Sequence, residues 1–405
     1  MAQKFDIQYF NSLKYKKADA LDINTESIRH SITDISQIYK TLMHRMRMIA
    51  KTNWTIKETK EKRKPRISYC GYSLHSNTNQ PVQLCKSTKG NLFFNGLANC
   101  GSYWRCPVCA LKISESKKEL LTDLISSHIE NKNTIGFLTL TIRHNRNDTL
   151  KKSIDKLLNN FNKFQNQRFF SRNKKDFNYL GMVKTLEVTY SFDNGWHPHL
   201  HVLFFYNNSN SKIIENFQKQ FIKNWSNFRD NNSLLKAQNQ QIISSVTDLA
   251  NYVAKYDISS EMTKGQIKGS KGLTPFTALA KLALNDYEDI QEKRLLYGVY
   301  SSYVEYTQGR AFVFISKGIR TQYKDIIEQK DKTDEEIVNN VEIDEILLKI
   351  STTVWKLISK NDLQPLVLNK YKENGIDGVF NLLTFFKDFK LLSVELDKNQ
   401  IPLLI

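Results

Sequence analysis

The sequence predicts an α+β protein with a central antiparallel β-sheet and flanking helices. Apolar patterns through the middle of the chain alternate in the order β-α-β-β-α-β-α. Two of the predicted strands flank Asp193-Asn194-Gly195, a strong signal for a hairpin turn. An antiparallel sheet with helices on one face, as in a split βαβ unit, lets each of these segments bury its apolar side.

The individual elements follow from the spacing of apolar residues. Runs rich in β-branched and aromatic residues predict strands at 135–142, 179–190, 196–206 and 241–246. Helical spacing predicts helices at 35–49, 114–129, 150–170, 213–225 and 247–259. Two more strands are expected at 297–306 and 310–315.

Four regions are expected along the chain. Residues 1–68 form a basic N-terminal region, and residues 69–130 form a cysteine-rich region. Residues 131–324 contain the predicted sheet. Residues 325–405 form an acidic, mostly helical C-terminal region, which we expect to serve in interaction or oligomerisation.

The charge of the chain is strongly basic and unevenly distributed. Its 405 residues include 59 Lys and Arg against 41 Asp and Glu, a net charge of +18. The basic excess lies in residues 1–324, since residues 325–405 carry 15 acidic and 10 basic side chains. This balance favours nucleic acid as a partner, because Lys and Arg that neutralise phosphates release counterions. A membrane surface is the alternative, but the sequence lacks a dominant basic amphipathic helix.

The sequence also lacks the features of a membrane-spanning or secreted protein. No apolar run approaches the ~20 residues that a membrane span needs, and the N-terminus has no apolar core of a signal peptide. We therefore expect a cytoplasmic protein. Its five cysteines are then metal ligands or free thiols before they are disulfides.

The most specific pattern is His197-Pro198-His199-Leu200-His201, in the second strand of the hairpin. Side chains alternate along a strand, so the three imidazoles share one face and Leu200 points into the core. Two imidazoles at positions i and i+2 can bind one divalent cation. The alternative is a row of solvent-facing histidines beside a turn.

Glu187 on the preceding strand is a candidate third ligand of this cation, and His197 is its rival. If Asp193–Gly195 form a three-residue loop, position 187 lies opposite 201 and on the same face. A two-residue loop would turn Glu187 away. A carboxylate beside imidazoles suits Mg²⁺ or Mn²⁺ and leaves open positions for a phosphate.

A second pattern follows at Asn251-Tyr252-Val253-Ala254-Lys255-Tyr256. On a helix, Tyr252 and Tyr256 share a face and Lys255 lies close to Tyr252. A tyrosine near a metal-bound phosphate can act as a nucleophile, and a nearby lysine can stabilise the developing charge. Without such a site, a tyrosine pair at this spacing is usually half-buried packing.

The cysteines Cys100, Cys106 and Cys109 include the Cys-Pro-x-Cys spacing of a zinc knuckle. Cys85 is predicted to complete a structural Zn²⁺ site, with Cys70 and His75 competing for the fourth place. Buried free thiols are the alternative. The segment 103–105 (Tyr-Trp-Arg) inside this loop either contacts nucleic acid or forms the small core of the knuckle.

Three of these motifs together resemble those of the HUH endonuclease superfamily, in particular of rolling-circle replication initiators. Phe137-Leu138-Thr139-Leu140-Thr141 resembles the first motif of that family, His199-Leu200-His201 its HUH motif, and Tyr252-Val253-Ala254-Lys255-Tyr256 its tyrosine motif. The segment 303–319 is also similar to the plasmid class 1 replication proteins. The resemblance covers roughly residues 100–320.

This resemblance implies an HUH nicking-joining endonuclease domain at residues 131–324. His199 and His201 would hold the divalent cation, and a tyrosine would attack a phosphodiester at the replication origin, leaving a 5′-phosphotyrosine and a 3′-OH primer. By alignment with the family, Tyr256 is the primary nucleophile. Tyr252 stands where many plasmid members carry Glu, which resembles the two-tyrosine arrangement of phage replication A proteins.

The sequence therefore predicts a metal-dependent DNA endonuclease and strand transferase that initiates rolling-circle replication of a plasmid. Its partners would be origin DNA, single-stranded or as a hairpin at the nick site and duplex for origin binding. A host helicase and polymerase would complete replication, since the chain has no Walker-type motif. Two alternatives stay open: an HUH relaxase or transposase, and a non-catalytic DNA-binding regulator.

Overall fold

The computed structural model describes residues 41–74, 80–88, 90–208, 210–243, 273–385, 392–397 and 399–405. We number the helices along the chain as α1 (41–52), α2 (Ile56–Lys60), α3 (Pro107–Glu130), α4 (Leu150–Gln165), α5 (Arg168–Asp176), α6 (Ser211–Ser226), α7 (Pro275–Leu284), α8 (Ile290–Thr307), α9 (Lys317–Gln322), α10 (Lys324–Lys330), α11 (Asp334–Asn339), α12 (Thr352–Lys360) and α13 (Gln364–Thr384). The strands are β1 (Val82–Ser87), β2 (Leu92–Asn95), β3 (Thr134–Leu140), β4 (Tyr179–Ser191), β5 (Gly195–Tyr206), β6 (Asn239–Ile243), β7 (Val313–Ile315), β8 (Ile343–Ile350), β9 (Val394–Leu396) and β10 (Pro402–Leu404). Among the helices of these ranges, none has the length and apolar character that crossing a membrane requires.

The predicted antiparallel sheet is present at the centre of the molecule. Its strand order is β6-β3-β5-β4-β7, and each neighbouring pair is antiparallel. The histidine strand β5 lies in the middle of the sheet, as expected. β3, β4 and β5 begin and end within two residues of their predicted limits.

Alternation along β5 distributes its side chains between two packed faces. Leu200, Val202 and Phe204 belong to the core on the side of α4 and α6, where Trp225 is fully buried. Leu203 and Phe205 on the opposite face pack with apolar side chains of α3, α9 and α10. Each fully buried large apolar side chain contributes about 1.5–3 kcal/mol to stability, so the strand is fixed from both sides.

Three predicted elements differ from the observed ones in the central part of the chain. Residues 297–306, predicted as a strand, lie in α8, where the buried residues recur at helical spacing: Leu296, Val299, Tyr300, Tyr303, Val304 and Thr307. The strand expected at 310–315 is limited to β7. The single helix expected at 150–170 is divided into α4 and α5.

The C-terminal region contains strands as well as the predicted helices. β8, β9 and β10 form a second sheet with β1 and β2, in the order β2-β1-β8-β10-β9. β8 and β10 are parallel, whereas the other pairs are antiparallel. Trp355 on α12 and Leu348 on β8 are buried in the core of this unit. The helices of this region are thus accompanied by three strands, and β1 from the cysteine-rich region supplies a pairing partner for β8.

The hairpin between β4 and β5 fixes which side chains face each other. Ser191 pairs with Gly195, so the loop is the three residues 192–194 rather than 193–195. Glu187 consequently lies opposite His199 instead of the expected 201. Moving a three-residue loop by one position changes the pairing by two residues, so Glu187 stays on the histidine face.

Gly195 is required where the hairpin enters β5. Its φ is +75°, and a Cβ at this position would lie 2.7 Å from the carbonyl oxygen of Arg146. We expect Gly195→Ala to lower the free energy of unfolding by roughly 1–3 kcal/mol, because it adds a strained backbone and a steric clash. Urea denaturation measures this difference.

Gly298 on α8 provides the matched control for this substitution. A Cβ there meets no atom within 4 Å, so Gly298→Ala should keep or raise stability by up to about 1 kcal/mol. Equal urea midpoints for the two variants would contradict the assigned role of Gly195.

Candidate active site and cysteine cluster

Glu187, His199 and His201 converge on one point of the central sheet. The Nε2 atom of His199 lies 2.8 Å from Oε2 of Glu187, and the Nε2 atom of His201 lies 2.5 Å from the same oxygen. The side chains are only 13%, 14% and 28% exposed for His199, His201 and Glu187, respectively. One carboxylate and two imidazoles in this geometry could hold a divalent cation.

Neighbouring groups orient both imidazoles toward Glu187. Nδ1 of His201 lies 3.1 Å from the hydroxyl oxygen of Thr139 on β3, and Nδ1 of His199 lies 3.4 Å from the carbonyl oxygen of His197. A hydrogen bond at one ring nitrogen fixes the orientation of the other, as is usual around metal-binding histidines. Thr139 belongs to the segment that the sequence analysis assigned to the first motif.

The charge of Glu187 is stabilised although the site is half-buried. Burial opposes ionisation, but the charges and hydrogen bonds of His199 and His201 hold the pKa of Glu187 well below its usual range. The carboxylate is therefore ionised at neutral pH, which is the form that binds a cation.

His197, the rival third ligand, lies beside the site and makes a different contact. Its Nδ1 atom is 2.8 Å from Nε2 of His144, and burial together with the charge of His199 lowers its pKa to about 4. The other ring nitrogen of His144 contacts the carbonyl oxygen of Asn194, at 3.1 Å. Sequence reasoning missed His144. Its position in the segment directly after the first motif was the available signal.

The predicted catalytic residues Tyr252, Lys255 and Tyr256 lie outside the described residues, as do the helix expected at 247–259 and the competing zinc ligand His75. Their roles stay predictions.

Four buried cysteines form a second cluster, made of Cys70, Cys100, Cys106 and Cys109. The sulfur of Cys70 lies 3.8 Å from that of Cys106 and 3.7 Å from that of Cys109, and Cys100 lies 3.6 Å from Cys109. Thiolates around one Zn²⁺ are about 3.8 Å apart, because Zn–S bonds are about 2.3 Å long and tetrahedral. The cluster fits a structural zinc site.

Local structure explains how these four residues meet. Cys106 is the N-cap of α3 and accepts a hydrogen bond from the backbone of Cys109 in the first turn. Cys70 follows a short 3-10 helix at Arg66–Tyr69. The sequence prediction of Cys85 as the fourth ligand is corrected, since Cys85 is buried in β1 outside the cluster. Burial there raises the pKa of its thiol to about 11.

Two basic side chains balance the charge of the cysteine cluster. Zn²⁺ with four thiolates would carry a net negative charge. Arg47 on α1 and Lys112 on α3 both interact electrostatically with Cys70, Cys106 and Cys109. Cations placed near a buried anionic cluster reduce the cost of burying it.

The residues Tyr103, Trp104 and Arg105 form the core of the knuckle and link it to α8. All three are buried, and Arg105 makes an ion pair of 2.7 Å with Glu58. The Trp104 ring lies 5.7 Å from that of Tyr303 on α8. Burial and the negative charge of Glu187 raise the pKa of Tyr303. Aromatic packing thus connects the knuckle to a buried tyrosine whose pKa responds to the charge of Glu187.

The fold and its two clusters define an α+β protein with a His–Glu cluster, suited to a cation, on a central antiparallel sheet beside a cysteine knuckle. Residues 94–292 match a family model described as "Replication protein". This range contains Glu187, His199, His201 and three of the four clustered cysteines.

Curated relatives agree with the family match. The chain is 28% identical over 148 residues to "Protein rep" of Streptomyces lividans, covering 30% of this chain and 32% of that protein. It is 27% identical over 170 residues to "Protein rep" of a Bacillus species, covering 40% and 49%. It is also 27% identical over 146 residues to a "Neomycin resistance protein" of Streptomyces cyanogenus, covering 30% and 33%.

These matches span between about a third and a half of the length of the relatives. No solved structure matches the chain. The resemblance to replication proteins inferred from the motifs is confirmed by the family match and by the two relatives named "Protein rep".

The cysteine cluster predicts that substitutions of two buried cysteines, Cys70 and Cys85, differ in their effect on zinc content. We expect purified Cys70→Ser to lose zinc, because a hydroxyl replaces one thiolate ligand. Cys85→Ser should keep the zinc content of the wild type. Metal analysis of both proteins by mass spectrometry measures this directly, and equal zinc content in the two variants would contradict the proposed ligand set.

The hydrogen bond between Thr139 and His201 predicts that Thr139 affects the affinity of the site for a cation. We expect Thr139→Val to weaken Mn²⁺ binding by roughly 10–100-fold, because the His201 ring loses its orienting partner. Thr185→Val is the matched control, since Thr185 lies opposite His201 on the other neighbouring strand. Calorimetric titration with Mn²⁺ measures both affinities, and an equal loss in the two variants would assign the effect to general destabilisation.

Proposed function

We propose that this protein initiates rolling-circle replication of a plasmid by nicking one strand at the origin and later rejoining it. The observation that supports this most directly is the convergence of Glu187, His199 and His201 on the central sheet, inside the segment that matches the replication protein family. This arrangement has the ligand types for Mg²⁺ or Mn²⁺ and stands on the motif that resembles the HUH motif.

In the proposed reaction the phenolic oxygen of Tyr256 attacks the scissile phosphorus. A bond forms between this oxygen and phosphorus, while the bond from phosphorus to the 3′ oxygen breaks. The phenolic proton is released and the 3′ oxygen takes up a proton, so the products are a 5′-phosphotyrosine and a 3′-OH primer. A divalent cation held by Glu187, His199 and His201 would supply polarisation of the scissile phosphate.

Lys255 and Tyr252 have supporting roles in this proposal. Lys255 lies one residue before the nucleophile in sequence and would stabilise charge on the phosphate oxygens. Tyr252 would act as the second nucleophile: its phenolic oxygen would attack the regenerated origin, forming a second 5′-phosphotyrosine and releasing a 3′-OH. This 3′-OH would then attack the phosphotyrosine of Tyr256, so that a phosphodiester forms and Tyr256 is released.

The basic N-terminal region and the cysteine knuckle would help to bind DNA. The net charge of +18 favours binding to origin DNA, single-stranded or as a hairpin at the nick site and duplex beside it. The cysteine cluster, with a structural Zn²⁺, would hold the knuckle against the active site. A host helicase and a host polymerase would unwind and copy the plasmid.

The tyrosine roles are tested by nicking of single-stranded origin DNA with Mn²⁺, followed by a denaturing gel that detects covalent protein–DNA. Tyr287, a half-exposed tyrosine on the surface, provides the control. We expect both the wild type and Tyr287→Phe to give the covalent band. Tyr256→Phe should lose the band if it is the sole nucleophile, and only the Tyr252→Phe/Tyr256→Phe double variant should lose it if the two substitute for each other.

Glu187→Gln tests the role of the cation ligands in the same assay. We expect it to lose the covalent band and to regain part of it at high Mn²⁺, because the neutral amide is a weaker ligand. If the wild type gives no band on any DNA from the native element, the enzyme proposal fails and a DNA-binding regulator takes its place.

A further inference from the structure

The loop between β3 and α4, residues 141–149, lies directly beside the histidine site. We propose that this loop clamps the phosphates of a single DNA strand entering the site, with Arg143 and Arg146 as the contacts. This inference deepens the function proposed above and rests on it. Four observations support it: the anchoring of the loop, its charge, its exposure and its distance from the site.

The loop is anchored to the hairpin that carries the histidines. The two ring nitrogens of His144 contact Asn194 and His197, at 3.1 Å and 2.8 Å. The absence of a side chain on Gly195 lets the Arg146 backbone approach closely. The backbone N–H of Arg143 donates to the carbonyl oxygen of Asn231, at 2.8 Å. These contacts fix the loop relative to β5 without using either guanidinium group.

The carboxylates on the loop and on α4 already form ion pairs with other basic side chains. Residues 143–156 contain five basic side chains and two acidic ones. Asp148 pairs with Lys152 at 2.8 Å, and Asp155 pairs with Lys151 at 2.6 Å and with Arg310 at 3.0 Å. The acidic side chains therefore neutralise other cations rather than the two arginines of the loop.

Arg143 and Arg146 are exposed, and in the described part of the chain neither makes an ion pair with a carboxylate. Guanidinium groups on a fixed loop are suited to phosphate, because their planar donors match phosphate oxygens. Asp193 in the neighbouring hairpin turn is exposed and acidic, which disfavours a phosphate at the tip of that turn.

The distance from the loop to the site suits one continuous strand. His197, which contacts the loop, lies about 7 Å along β5 from His199. A phosphate on the loop would then be roughly one or two nucleotides from a phosphate at the cation site. The half-buried site admits an unpaired strand more readily than a rigid duplex, since an unstacked backbone can bend into it.

The test measures, by fluorescence anisotropy, how binding to a labelled single-stranded 20-nucleotide DNA depends on salt concentration. Divalent cations are left out of the buffer. We expect Arg143→Gln/Arg146→Gln to lower the slope of log K against log salt by about 1.4, because each single-strand phosphate contact contributes about 0.7. At about 0.15 M salt this corresponds to roughly tenfold weaker binding.

Arg294→Gln is the control for a surface arginine, because Arg294 is exposed on α8 and its loss removes one of the two positive charges that the double variant loses. The control should keep the wild-type slope. An unchanged slope in the double variant, an equal change in Arg294→Gln, or a loss confined to duplex DNA would each overturn the clamp.

The outcome is distinguishable from that of the proposed function. Mn²⁺ affinity, measured by calorimetry, should be unchanged in the double variant, since neither arginine touches Glu187, His199 or His201. A slope change in a protein that never forms a covalent band would support the clamp and refute nicking. Nicking by the wild type with no slope change in the variant would support the enzyme and refute the clamp.

Discussion

The antiparallel pairing of β4 with β5 is the constraint on which the rest of the site depends. Its ladder puts Glu187 opposite His199 and within reach of His201. Since side chains alternate along a strand, a slip by a single residue would turn the carboxylate to the other face. The apolar residues on the opposite face of β5 prevent that slip, because it would move His199 and His201 into the core beside α4 and α6.

The cysteine cluster depends on a different constraint, because two of its residues lie at the N-terminus of a long helix. Cys106 caps α3 and Cys109 lies in its first turn, while the C-terminal half of α3 packs under the sheet. The same helix therefore connects both clusters. Trp104 adds a contact between the knuckle and Tyr303 on α8.

Much of the central sheet and of the histidine site was predictable, because both depend on local patterns. Alternating apolar residues and the Asp-Asn-Gly turn gave β3, β4 and β5, and the i, i+2 spacing put His199 and His201 on one face. Residues 297–306 were assigned to the wrong element because Tyr and Val favour strands, whereas contacts with distant helices bury them at helical spacing. The second sheet joins β1 to β8 across about 260 residues, a pairing with no local signal.

The sequence by itself determined the ligand types, their order along the chain and the basic charge, because these are properties of residues and of short-range spacing. Tertiary structure decided that Cys70 rather than Cys85 completes the cysteine cluster, that His144 contacts His197, and that Glu187 stands opposite His199. Each of these depends on how separate segments pack, and the free energy of that packing comes from contacts between residues far apart in sequence.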